Sequence, residues 1–137
     1  MIVGLDTSVL VRLLAGDPRE LALAALSFVL ARQEAGDRLR VSELVVAETY
    51  HAMQYHYGVS KRDALAELRQ FLETPGVEGA GSLAELLATP GLESAKPGFI
   101  DRVIHDNYLR AGAQQVVSFE KACAKLPKVR VLRPSQE

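Results

Sequence analysis

Four acidic residues occupy positions at which a carboxylate is chemically informative: Asp6, Glu48, Asp101 and Glu120. Asp6 and Glu120 follow short apolar runs, residues 1–5 and 115–118, that read as strands, and open parallel sheets bind ligands beyond the carboxyl ends of their strands. Glu48 and Asp101 fall within helical patterns. Glu48 shares a helical face with Leu44, Ala47, His51 and Tyr55; if that face points inward, its carboxylate has to be paired, protonated or bound to a metal. Each acid also has a plain reading. Asp6 suits a helix cap, Asp101 a favourable first-turn charge, Glu48 an exposed position on a wide amphipathic helix, and Glu120 a surface turn. Together they lie on two strand ends and two helices that can converge on one end of a sheet, where four carboxylates cannot all stay ionised without cations. Hard oxygen donors at that density suit Mg²⁺ or Mn²⁺, and no Cys/His spacing favours zinc. Two such ions about 3.5–4 Å apart can activate a water and stabilise a leaving oxygen in phosphodiester hydrolysis.

The elements that must position these acids follow from local patterns. Residues 1–6 form an apolar run ending in an acid, as expected of a strand buried on both faces. Val9, Leu10, Leu13 and Leu14 recur at helical spacing up to Gly16. Asp17-Pro18 then offers a cap followed by proline at the first helical position, which predicts a helix over 18–35 with Leu21, Ala25, Phe28 and Val29 as its core stripe. A strand is expected at 38–41. Ser42 caps a third helix carrying Glu43 and Glu48, stopped by Gly58. Ser60-Lys61-Arg62-Asp63 resembles a capping box, and Ala64, Leu65, Leu68, Phe71 and Leu72 follow an amphipathic stripe. A short strand at Val77 and a brief helix from Ser82 through Leu87 precede a loop bracketed by Pro90-Gly91 and Pro97-Gly98. Ile100, Val103, Ile104, Tyr108 and Ala111 mark a further helix, and strands are expected at 115–118 and 129–132. Strands alternating with helices imply an α/β fold, a three-layer sandwich with a mainly parallel central sheet.

The chain has 137 residues and a formal net charge of −1. That length fits one domain over 1–137. A single cysteine, Cys123, cannot form an internal bridge, no run has the order of a signal peptide, and no apolar stretch reaches the roughly 20 residues needed to span a bilayer. A cytoplasmic protein without a membrane segment is expected. The charge does not suit a protein that coats nucleic acid through a basic face, but it suits an enzyme whose acids gather in one pocket.

The segments Leu5-Asp6-Thr7-Ser8-Val9-Leu10, Val45-Val46-Ala47-Glu48-Thr49, Gly98-Phe99-Ile100-Asp101-Arg102-Val103-Ile104 and Val116-Val117-Ser118-Phe119-Glu120-Lys121 resemble, in order and spacing, the PIN domain, especially toxins of the VapC type. The resemblance spans nearly the whole chain. It implies a parallel-sheet α/β fold and an endoribonuclease using Mg²⁺ or Mn²⁺, with Asp6, Glu48, Asp101 and Glu120 as the metal-binding and catalytic set. Ser8 would support Asp6, and Ser118 would replace the threonine that usually precedes the last acid. The partners it implies are an RNA substrate, a cognate antitoxin protein and a second copy of the chain. The last motif departs from the family wording, Thr-Phe-Asp, by carrying Ser118-Phe119-Glu120, and the Pro- and Gly-rich segment 89–98 precedes Asp101.

Other residues carry weaker signals. Arg102 and Lys121 each neighbour an acid and can donate to a substrate phosphate or simply neutralise that acid. His51 and His56, interleaved with Tyr50, Tyr55 and Tyr57, fit core packing or an interface better than base stacking. His105 and Cys123 read as structural. A phosphoryl-transfer enzyme of the haloacid-dehalogenase kind is the competing chemistry for Asp6, but it wants an aspartate at position 8, which is Ser, and leaves Glu48 without a role. A PIN-like domain that binds RNA or protein without cutting is the other alternative.

Overall fold

A computed structural model of the chain describes residues 1–134. The chain order is β1 (Ile2–Gly4), α1 (Thr7–Ala15), α2 (Arg19–Glu34), β2 (Arg38–Val41), α3 (Glu43–Tyr55), α4 (Lys61–Glu73), β3 (Val77–Gly79), α5 (Leu83–Leu87), α6 (Phe99–Arg110), β4 (Val116–Ser118) and β5 (Val129–Val131), with 3₁₀ turns at Leu92–Ser94 and Lys121–Lys125. The α/β class is borne out, and every strand pairing is parallel. The expected domain over 1–137 includes residues 135–137, which lie outside the described residues.

The strands make two sheets instead of one: a three-stranded sheet of order β1-β2-β3 and a two-stranded ribbon of β4 and β5. Ile2 pairs with Arg38 and Leu39 with Val77, so side chains of one parity line one face. Leu39 and Val41 are fully buried on the inner face. The opposite face holds Arg38 and Arg40, both bonded to Glu78 at 3.2 and 3.0 Å and largely exposed. Ile2 is 52% exposed. β1 is thus covered on one face only, contrary to the expectation of a strand buried on both. β2 shows why, since its alternation of arginine with apolar residues is the pattern of a one-sided strand.

Helix boundaries follow local chemistry. The Ser42 hydroxyl accepts from the Val45 N–H at 3.1 Å and the Ser60 hydroxyl from the Asp63 N–H at 3.0 Å, each satisfying a donor orphaned at a helix start. Gly16 closes α1 in the left-handed region, φ 70°, which glycine adopts without strain. On α2 the proline takes the cap position itself, one residue away from expectation. The buried stripe of α2 is Ala22, Ala25 and Val29, whereas Leu21 and Phe28 are 48% and 44% exposed. The helix is rotated so that small residues approach its neighbours, leaving its large ones outside. On α4 the expected stripe of Ala64, Leu65, Leu68, Phe71 and Leu72 is buried in full, so this helix belongs to the core. Those residues join Leu10, Val46, Met53, Leu83 and Phe99 in one apolar cluster.

α6 is tied to the rest by a polar network. Arg110 donates to Asp106 at 2.8 Å and to Glu43, at the start of α3, at 2.7 Å, and Asp106 also accepts from the Ser82 hydroxyl at 3.0 Å. Ser82 therefore spends its hydroxyl on α6 and makes no cap bond to α5, against the capping expectation there. A Cβ at Gly81 would collide with the Arg110 guanidinium, and the Gly81 φ of +54° disfavours any other residue. The stripe expected on α6 is partly turned outward: Val103 is buried, but Ile104 and Tyr108 are about half exposed. His105 is buried instead, its Nε2 lying 2.7 Å from the Pro127 carbonyl and so carrying the proton. Cys123 is buried beside it in the small cleft between α6 and the β4-β5 ribbon, the structural role expected of both. No helix among the described residues is long and apolar enough to cross a membrane.

Two stability measurements follow. Leu68→Ala, at a position 1% exposed, should lower the free energy of unfolding by about 2–5 kcal/mol, while Leu23→Ala on the outer face of α2 should change it by less than about 0.5 kcal/mol. Urea titration monitored by far-UV circular dichroism distinguishes them. For Asp106, burial opposes ionisation, but hydrogen bonds from Arg110 and Ser82 and the charge of Arg110 outweigh it, so the carboxyl titrates below its ordinary value. A depressed folded-state pKa stabilises above the unfolded value, about 3.9, and that stabilisation is lost as pH falls through the folded value. The stability gap between wild type and Asp106→Asn should therefore be widest near neutrality and narrow as pH falls below about 4; a gap independent of pH would contradict the network.

Candidate active site

The carboxyl end of β1 feeds directly into α1, and Asp6 sits at the junction as the cap residue of the helix. Its Oδ1 accepts from the Thr7 N–H at 2.8 Å, and its Oδ2 lies 3.4 Å from the Ser8 hydroxyl. The Thr7 hydroxyl in turn donates to Glu48 Oε1 at 2.9 Å. One residue thus links the two acids, with its backbone on Asp6 and its side chain on Glu48. Both carboxylates are exposed, and each keeps an oxygen outside these strong bonds. Glu48 is not on an inward face: Leu44, Glu48, His51 and Tyr55 are all exposed along α3, and the buried face is Val46, Thr49, Tyr50 and Met53. What ties Glu48 to the site is therefore the hydrogen bond from Thr7, not burial.

Asp101 and Glu120 are carried by later elements, α6 and the turn that follows β4. Asp101, in the first turn of α6, lines the cleft of about 180 Å³ that also contains Ser118, His105 and Cys123. The Ser118 hydroxyl accepts from the Glu120 N–H at 3.0 Å, turning the chain after β4 so that Glu120 precedes the 3₁₀ turn at Lys121–Lys125 with its side chain exposed. Since β1 and β4 lie in different sheets, their carboxyl ends are not neighbouring strand ends. The structure brings Asp6 to Glu48, and Asp101 to Ser118; among the described residues, no three His, Cys, Asp or Glu side chains are gathered as a cation would need. Arg102 directs its Nε to the Pro97 carbonyl at 2.8 Å, bracing the segment before α6, and Lys121 is exposed.

One further residue of this region, Thr7, escaped the sequence reading as part of the site. Thr7 is the bridge between the acids, and its only sequence signal is a hydroxyl next to Asp6. Arg12, one helical turn beyond Ser8, lines an open apolar groove with Asp6, Val3, Val9, Leu21 and Phe28. The donor chemistry of Asp6 and Glu48 fits a hard divalent cation, because Mg²⁺ is commonly held by one or two carboxylates with water filling the remaining positions. Two carboxylates linked through one residue, Thr7, supply that minimum.

No curated protein and no solved structure matches the chain. Residues 3–76 match the PIN-domain family, a span that covers more than half of the 137 residues and includes β1, α1, α3 and the Asp6-Thr7-Glu48 link. With a nuclease-type fold of parallel strands and helices, and paired acids at the end of its first strand, the chain belongs to the PIN-domain family.

Proposed function

We propose that the chain is an Mg²⁺- or Mn²⁺-dependent endoribonuclease that hydrolyses RNA phosphodiester bonds, acting as a single domain over 1–137. The observation that carries this reading is the Thr7-bridged pair of Asp6 and Glu48 at the carboxyl end of β1. PIN domains are generally metal-dependent nucleases, and the paired acids lie within the family match. A divalent ion held by Asp6 and Glu48 would supply Lewis acidity for a phosphodiester and lower the pKa of a bound water. Ser8 steadies Asp6. Asp101 completes the metal-binding set with Glu120 as its weaker member, Ser118 holds the turn that presents Glu120, and Arg102 and Lys121 contact phosphate. The VapC-like wording of the motifs supports a toxin role in the cytoplasm. A segment of an antitoxin protein would cover the apolar groove beside Asp6, and the exposed leucines of α2, Leu23, Leu26 and Leu30, would meet a second copy of the chain.

One observation favours an alternative reading, a PIN-like domain that binds RNA without cutting it: among the described residues, no three His, Cys, Asp or Glu side chains gather as a cation site. Cleavage of single-stranded RNA separates the two. Activity should require Mg²⁺ or Mn²⁺, vanish in excess chelator, and fall by about 100-fold or more in Asp6→Asn and in Glu48→Gln. Glu120→Gln should lose less. Cleavage that persists in chelator or in Asp6→Asn would refute the proposed chemistry, and RNA binding without any cleavage would establish the alternative.

A further inference from the structure

We propose that the exposed His51 and Tyr55 rings on α3 form a platform on which a base of the single-stranded RNA substrate stacks; this rests on the reading that Asp6 and Glu48 act on RNA. The two rings are already stacked on each other, with centroids 6.1 Å apart and planes 22° apart. Tyr55 is 79% exposed and His51 is exposed. A lone exposed tyrosine needs no explanation, but a ring pair held parallel at the surface offers π-faces of the kind single-stranded nucleic acids use. Their position links them to the acids. Residues three or four apart on a helix are neighbours about 5–6 Å apart, so Glu48, His51 and Tyr55 form one line leading away from the Thr7-bridged pair. The platform also stands on a fixed base, because Tyr50 packs edge-on against buried Phe99 at 5.3 Å and 75°.

Charge favours the same occupant. Residues 49–62 contain Lys61 and Arg62 and no acid, in a chain whose formal net charge is −1, and both side chains are exposed, as are His51 and His56. Phosphates flanking a stacked base would meet this run. Because every base has a π-face, such a platform tolerates any sequence and sets the path of the strand relative to Glu48.

The test measures binding and cleavage separately. Binding of a fluorescently labelled single-stranded RNA of about 10 nucleotides is followed by anisotropy in chelator, for wild type, His51→Ala, Tyr55→Leu and Tyr55→Phe. Tyr55→Leu should weaken binding by about 5- to 150-fold, the range expected on removing one stacking ring; His51→Ala should weaken it in the same direction, and Tyr55→Phe should recover most of the loss. In cleavage with Mn²⁺, Tyr55→Leu should raise KM more than it lowers kcat. Unchanged binding in Tyr55→Leu would overturn the platform even if wild type cuts RNA. So would a dimer that Tyr55→Leu turns into a monomer by light scattering, which would make the rings a protein interface. The absence of RNA binding by wild type would overturn it as well. Ring-dependent binding by a wild type that cuts nothing would support the platform and remove the nuclease reading instead.

Discussion

The hydrogen bonds that join Asp6, Thr7 and Glu48 couple three features of this molecule: where β1 ends, how α1 begins, and which way α3 faces. A strand running into a helix within two residues leaves its last side chain at the helix start, where backbone N–H groups favour a carboxylate. Asp6 takes that place. The threonine that follows is thereby held with its hydroxyl toward α3, where Glu48 accepts from it. The capping role and the candidate chemical role of Asp6 are therefore not alternatives. The backbone bond to Oδ1 orients the carboxylate, and Oδ2, held only by the long contact to Ser8, faces outward.

The same arrangement explains the unequal standing of the four acids. Asp6, Glu48 and Asp101 are positioned by elements of one apolar cluster that runs from Leu5 to Val103 and includes α1, α3, α4 and α6. Glu120 depends on a ribbon of two short strands that packs around His105, Cys123 and the Pro127 carbonyl. α6 itself is anchored to α3 both by the packing of Phe99 against Tyr50 and by the bond from Arg110 to Glu43.

Much of this was legible in the sequence where local chemistry decides the outcome. Ser42 and Ser60 announce their helices, the stripe from Ala64 to Leu72 is buried as its spacing requires, and Asp6 falls at a strand end because the preceding run is apolar. What was not legible depends on tertiary context. The apolar residues of α2 allow more than one buried face, and packing against α1 selected Ala22, Ala25 and Val29 over Leu21 and Phe28. Glu48 illustrates the limit most clearly. Its helical neighbours suggested an inward face, but Leu44, His51 and Tyr55 are exposed with it, since a helix apolar around much of its circumference does not declare which side the core will take. The pairing of strands into two sheets likewise leaves no mark in strands of three or four residues.

The central claim is that Asp6 and Glu48 hold one divalent ion between them. Calorimetric titration of Mn²⁺ into wild type, Asp6→Asn, Glu48→Gln and the double variant tests it without requiring any reaction. If the two carboxylates share an ion, each single substitution should weaken the same site, and the double variant should lose much less than the sum of the two, because the first change already removes the shared interaction. Mn²⁺ binding of equal strength in all four proteins, or losses that simply add, would contradict a shared site.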